Sequence, residues 1–230
     1  MTTVLSERAL AGLVLNIDKP AGITSFRVVQ IVRRIVKIKK VGHSGTLDPM
    51  ATGVLIVCTG KATKQITGLM ATDKTYTGTL QLGLETDSYD KDGHVTAQRD
   101  VAEFDVADIR NTMQQFEGTI TQVAPAYSAL KVGGVPMYKL ARQGKEVPRK
   151  SREVTISELR LEQYRHPFID FSVTCSKGTY VRSIAHDIGE QLECGACLTA
   201  LRRTRNGQFS VTDSIPLDSL ADYLTEPTSA

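Results

Sequence analysis

The sequence predicts an α+β fold in which helices flank a mixed sheet, and three stretches carry that expectation. Val54–Cys58 is a short β-branched run bounded by Gly53 and Gly60, the pattern of a strand buried on both faces. Lys74–Leu82 (KTYTGTLQL) alternates, so Tyr76, Gly78, Leu80 and Leu82 share one face of a second strand. Val154–Leu161 and Phe168–Cys175 form two more strand-like runs, joined as a hairpin across His166-Pro167.

The other elements follow in chain order. Gly12 to Asp18 reads as a strand entering a turn at Lys19-Pro20. Thr24 or Ser25 then caps a helix in which Val28, Ile31, Val32 and Ile35 recur at helical spacing, with Arg33 and Arg34 facing outward. Val41 to Gly53 is a loop dense in turn-formers, and Pro49 restricts Asp48 to extended or turn geometry. A short helix is expected over Ala62–Leu69, an acidic loop over Glu85–Gly93 and a helix over Val106–Phe116. Pro125–Lys150 is a long excursion with a short helix from Pro136, over Met137–Gln143. Ser176–Arg182 joins a strand to a helix over Ser183–Leu192, which places Tyr180 and Arg182 at the junction. The pattern ends with a short helix at Leu198–Arg205, a strand at Gly207–Val211 and a helix at Leu217–Leu224.

Composition bounds the function. With 230 residues, 41% hydrophobic and 23% charged, the chain can build a substantial core. Its longest apolar runs are too short to span a bilayer, and the N-terminus lacks the pattern of a secretory signal, so a cytoplasmic protein is expected. The net charge is only +3, but the charges segregate. Arg33–Lys40 reads RRIVKIKK, Arg202–Arg205 reads RRTR, and Lys139–Arg152 carries six basic residues against one acidic. Glu85–Asp108 carries eight acidic residues and only Lys91 and Arg99. Such clusters suit a polyanion, although each alone also reads as a solvated face.

Several motifs fail on inspection. Six residues separate Gly53 from Gly60, and Ala62 follows Lys61, so no P-loop forms. His43, Ser44 and Asp48 crowd one loop with no nucleophile elbow. The acidic loop breaks the calcium pattern after Asp87. Cys194 and Cys197 have no second ligand pair, and Cys58 and Cys175 fall in strands, so all four are read as structural. Asp48 itself stays open between a self-capping turn residue and a positioned carboxylate.

Six stretches together resemble one family. They are Asp18–Ser25 (DKPAGITS), Gly42–Pro49 (GHSGTLDP) with Ala51–Val54, Lys74–Tyr76, Pro125–Lys131 (PAYSALK), Lys177–Ser183 (KGTYVRS) and Leu201–Thr204 (LRRT). In order and spread over nearly the whole chain, they resemble the TruB family of tRNA pseudouridine synthases. The resemblance implies the pseudouridine-synthase fold: a central mixed, mostly antiparallel sheet flanked by helices, with a basic thumb-like insertion. It implies a catalytic domain over 1–214 with the insertion at about 125–152. A one-helix tail over 215–230 then stands where members usually carry a C-terminal RNA-binding module.

The implied reaction converts a uridine in the T-loop of tRNA, at position 55, to pseudouridine, with no cofactor or metal. Asp48 matches the essential aspartate and Arg182 the arginine that pairs with it. Tyr76 matches the tyrosine that stacks on the flipped uracil, His43 the histidine that packs where the nucleotide turns out, and Tyr180 and Leu201 further pocket walls. Lys19, Lys139, Arg142, Lys145, Arg149 and Lys150 are the expected RNA contacts. The expected partner is tRNA at its elbow, engaged by a monomer that needs no membrane, guide RNA or protein partner. An RNA chaperone that refolds the tRNA elbow is the non-enzymatic alternative.

Overall fold

Strand Thr52–Thr59 is the most deeply buried segment, with every residue from Gly53 to Thr59 inside. We describe the protein from a computed structural model, which describes residues 2–128, 130–141, 143–145, 147–148 and 150–225. In chain order the helices are α1 (Thr2–Gly12), α2 (Ser25–Val36), α3 (Ile66–Ala71), α4 (Val106–Gln114), α5 (Met137–Ala141), α6 (Val181–Gln191) and α7 (Leu220–Thr225). The strands are β1 (Val14–Lys19), β2 (Val41–His43), β3 (Thr52–Thr59), β4 (Lys74–Leu82), β5 (Leu84–Thr86), β6 (Val95–Gln98) and β7 (Gly118–Val123). They continue with β8 (Lys131–Val132), β9 (Val135–Pro136), β10 (Ser151–Arg165), β11 (Phe168–Cys175), β12 (Ala196–Asn206), β13 (Phe209–Ser210) and β14 (Ile215–Pro216). The fold is α+β with a mixed, mostly antiparallel sheet, as expected.

The chain divides into two compact units, Met1–Tyr76 with Leu201–Ala230, and Thr77–Ala200. In the first, β14, β1, β3 and β12 lie side by side. β1 runs antiparallel to β3, with Ile17 opposite Leu55, while β14 joins β1 and β12 joins β3 in parallel. β2 adds to β3 just before the Ser44–Ala51 loop. Helix α2 begins as its cap predicts: the Thr24 hydroxyl accepts from the Arg27 amide at 3.1 Å, and Val28, Val29, Val32 and Val36 are buried.

In the second unit the order is β4, β11, β10, β7, with β10 antiparallel to both neighbours. The alternation expected of β4 is observed, with Tyr76, Gly78, Leu80 and Leu82 buried on one face. Asp105 caps α4, its carboxylate accepting from the Ala107 amide at 2.7 Å.

Two expectations need correction, and two elements, α1 and β14, were not foreseen. Leu198–Arg205 is not a helix but lies within β12. Its Leu, Ala and Arg content favours a helix locally, yet pairing of Arg202 and Arg203 with Thr52 and Gly53 decides the strand, a tertiary override of propensity. The last strand is only Phe209–Ser210, and Val211–Asp213 turns into a 3-10 helix. Helix α1 was not expected; its Ala9 carbonyl accepts from the buried Thr59 hydroxyl at 2.7 Å. The tail expected from residue 215 begins with β14, paired to Ile17 and Asp18.

Gly53 marks a tight backbone approach in the first unit. Its φ is +98°, and a Cβ there would lie 2.2 Å from the Arg203 carbonyl oxygen. Gly53→Ala is therefore expected to lose about 2 kcal/mol or more of stability in urea denaturation. A stability equal to wild type would contradict the β3–β12 packing.

Candidate active site

The Ser44–Ala51 loop is held by its neighbours one backbone group at a time. The Ser44 amide donates to the Ile56 carbonyl at 2.9 Å, anchoring the loop on β3. Ser25, at the start of α2, is buried; its hydroxyl accepts from the Leu47 amide at 2.8 Å and donates to the Leu47 carbonyl at 3.0 Å. The Gly22 amide donates to the Pro49 carbonyl at 2.9 Å, and the Ala51 amide closes the turn onto the Asp48 carbonyl at 3.1 Å. Asp48 is thus the half-buried residue between two clamped neighbours, Leu47 and Pro49.

Two buried cations complete the cradle. Arg203, 1% exposed on β12, donates from Nε to the Val54 carbonyl at 2.7 Å and from Nη2 to the Gly45 carbonyl at 3.3 Å. Lys19, fully buried at the end of β1, donates from Nζ to the carbonyls of Pro20 and Ile23, each at 2.8 Å, and of Pro49 at 3.2 Å. Burial pulls the Lys19 ammonium down to about 8; the Asp48 charge opposes that shift and the Arg203 charge adds to it. His43, half-buried on β2, is also lowered, first by burial and then by Arg203, so its ring is neutral at neutral pH.

The first unit therefore gathers Asp48, His43, Lys19, Tyr76 and Leu201. Tyr76 on β4 is buried, with the Arg203 guanidinium 6.0 Å from its ring centroid. Leu201 is buried on β12, two residues before Arg203 and so on the same face. The RNA-contact expectation for Lys19 is corrected: its ammonium is enclosed and spent on backbone carbonyls, beyond the reach of a phosphate.

Tyr180 and Arg182 belong to the second unit. Tyr180 occupies the N-cap of α6, and the buried Gln122 side chain grips its backbone, accepting from the amide at 2.7 Å and donating to the carbonyl at 3.0 Å. The Arg152 guanidinium lies 4.3 Å from the Tyr180 ring centroid. Arg182 is 4% exposed; it donates to the Ser88 carbonyl at 2.8 Å and the Tyr127 carbonyl at 3.0 Å and pairs with Asp90 at 3.4 Å. Asp90 is one of the acidic-loop residues, and the resemblance did not single it out.

In the insertion, Lys139, Lys145 and Lys150 are exposed, while Arg142 and Arg149 lie outside the described residues. All four cysteines are buried free thiols, and burial pushes Cys197 up to about 11. Among the described residues, Glu85, His186 and Glu190 bring possible metal-ligand atoms within 4.8 Å of one another, but Glu85 is already ion-paired with Arg99. Sequence reasoning missed Ser25, Gln122 and Arg203, whose work is to bind backbone.

The Lys19 shift has a measurable sign. An unfolded chain keeps that proton to about 10.5, the folded one to about 8. The folded state therefore binds fewer protons across that window, and Lys19 contributes stability as pH rises through it. NMR titration of the Lys19 Nζ is expected to give a midpoint near 8, and one near the ordinary lysine value would refute the enclosed cradle.

Comparison with known proteins places this geometry. A family model described as TruB family pseudouridylate synthase (N terminal domain) matches residues 33–181. A second, tRNA pseudouridylate synthase B C-terminal domain, matches residues 182–229. The tRNA pseudouridine synthase B of Clostridium perfringens is 50% identical over 214 residues, covering 93% of this chain and 73% of that protein. That of Syntrophotalea carbinolica is 49% identical over 207 residues, covering 90% and 68%. Among solved structures, a chain of a Cbf5-Nop10-Gar1 complex superposes with a TM-score of 0.74 at 31% identity, over 95% of this chain and 56% of that one. With family models matching residues 33–229 and relatives aligned over nine-tenths of its length, this chain belongs to the TruB family of pseudouridylate synthases.

Proposed function

We propose that this chain isomerises a uridine in the T-loop of tRNA, at position 55, to pseudouridine, with Asp48 as the essential carboxylate. Family membership supports the reaction, and relatives named tRNA pseudouridine synthase B at 49–50% identity support tRNA as the substrate class. The observation that carries the assignment of Asp48 is its loop. A half-buried carboxylate fixed on both sides by buried donors is preorganised, which a merely self-capping turn does not need.

The chemistry assigns roles to the surrounding residues. The N1–C1′ bond breaks, the uracil turns, and a C5–C1′ bond forms; C5 loses a proton and N1 gains one, so the composition is unchanged. A uridine in a folded loop must first be extruded, and stacking offsets the lost base contacts by about 1–3 kcal/mol. Tyr76 supplies that ring, Leu201 an apolar wall that keeps water from the opened sugar, and the neutral His43 a plug where the base was. Family membership also supports roles for Tyr180, as an aromatic wall, and for Arg182, as a cation. Asp48 serves as nucleophile or base toward the sugar or the uracil.

The exposed Lys139, Lys145 and Lys150 of the insertion support contact with the RNA backbone. No described helix is long and apolar enough to cross a membrane. Four free thiols suit the reducing cytoplasm, where a monomer acting on tRNA alone would work.

Incubation of unmodified tRNA with the protein, followed by chemical mapping, is expected to show conversion at one T-loop uridine. Asp48→Asn is expected to reduce turnover at least about 10⁴-fold, with tRNA affinity retained. Conversion only outside the T-loop would refute the substrate, and an active Asp48→Asn would refute the catalytic assignment.

A further inference from the structure

Helix α6 carries His186 and Glu190 one turn apart, so both side chains leave the same face. The chain that follows α6 turns back onto the start of β5, where the Gly83 amide donates to the Gly195 carbonyl at 2.8 Å. Glu85 of β5 then lies over Gly195. A Cβ at residue 195 would stand 2.6 Å from the Glu85 Oε1, so the carboxylate reaches the end of α6 only because that residue has no side chain. One nitrogen of His186 and one oxygen each of Glu85 and Glu190 thereby converge within 4.8 Å of one another, all inside the second unit.

Packing alone leaves this arrangement unexplained. A histidine beside carboxylates ordinarily satisfies a ring nitrogen by donating to one of them. His186 has two at hand and pairs with neither: it forms no hydrogen bond or ion pair among the described residues. Its Nδ1 is shut off from solvent and has no partner, a state that is costly unless an ion or water completes it. The Tyr89 ring lies parallel to the imidazole at 3.9 Å and fixes its plane. Glu190 is exposed and has no ion pair among the described residues, which leaves a way in from solvent. Arg99 engages Glu85 through Oε1 alone, and its own side chain is 51% exposed, so Oε2 stays available.

The donor set selects the ion. Magnesium and calcium take oxygen ligands, whereas zinc and its first-row neighbours accept imidazole nitrogen together with carboxylate oxygen. Three protein ligands leave the remaining position to water. We propose that Glu85, His186 and Glu190 bind one first-row divalent cation such as zinc, at a site outside the residues assigned to the reaction. Arg182, near the start of α6, already holds Asp90 of the acidic loop, and the metal ties β5, where that loop begins, to the same helix one and two turns further on. The inference does not depend on the RNA-modifying reading.

The test titrates the tag-free full chain, kept reduced, with zinc chloride in competition with a chromogenic chelator. One equivalent is expected to bind, and magnesium in roughly 100-fold excess is expected not to displace it. His186→Ala and Glu190→Gln are each expected to weaken zinc binding at least about 10-fold, the loss that follows even when groups merely supporting a metal ligand are removed. Glu190 is exposed, so Glu190→Gln carries the test if His186→Ala folds poorly. The chain has four histidines, and only the ring resonances of His186 are expected to shift with the first equivalent. Absence of zinc binding would overturn the site. So would binding that both variants leave unchanged, which would hand the metal to the cysteine thiols, or a first-equivalent shift at another histidine with none at His186.

Discussion

Enclosing Lys19 and Arg203 is the constraint on which the first unit depends. A cation removed from water loses hydration worth several kcal/mol, and it stays buried only where carbonyls replace that water. Lys19 finds three carbonyls and Arg203 two, and Pro49 and Gly45 of the Asp48 loop are among them. The cost of burial therefore becomes a cost of moving the loop, because displacing Pro49 or Gly45 strips donors from a buried charge. Both cations also make the interior positive around the one carboxylate of residues 19–72, as the shifts of Lys19 and His43 record.

The second unit uses the same means with different side chains. Gln122 holds both backbone groups of Tyr180 as Ser25 holds both of Leu47, so each clamped residue keeps its side chain free to act elsewhere. Arg182 spans the Ser88 and Tyr127 carbonyls and pairs with Asp90, drawing the acidic loop and the start of the insertion onto α6. In both units, residues with a proposed chemical role are set in place by polar side chains that bind backbone.

That arrangement explains what could be read from the sequence. β3, β4, β11 and α2 were legible because periodicity, glycine boundaries and a threonine cap are local signals. β12 was not, because Leu-Thr-Ala-Leu-Arg-Arg reads as a helix until β3 pairs with it. That one misreading hid Arg203: in a strand it shares a face with Leu201, whereas in a short helix it reads as a solvated charge. Lys19 was misassigned for a related reason, since a lysine in an Asp-Lys-Pro turn looks exposed and nothing nearby in sequence announces the Pro49 carbonyl that receives it. Asp48 was visible as a turn residue, but only distant motifs gave it a chemical role.

The most direct test of the account is the structure of this protein bound to a T-arm RNA hairpin. The account predicts an extruded uridine with its sugar or base within about 3.5 Å of the Asp48 carboxylate, over a 44–51 loop whose backbone matches that of the free protein. A uridine still stacked in its loop, or a loop that rebuilds and releases the Lys19–Pro49 and Ser25–Leu47 contacts, would contradict it.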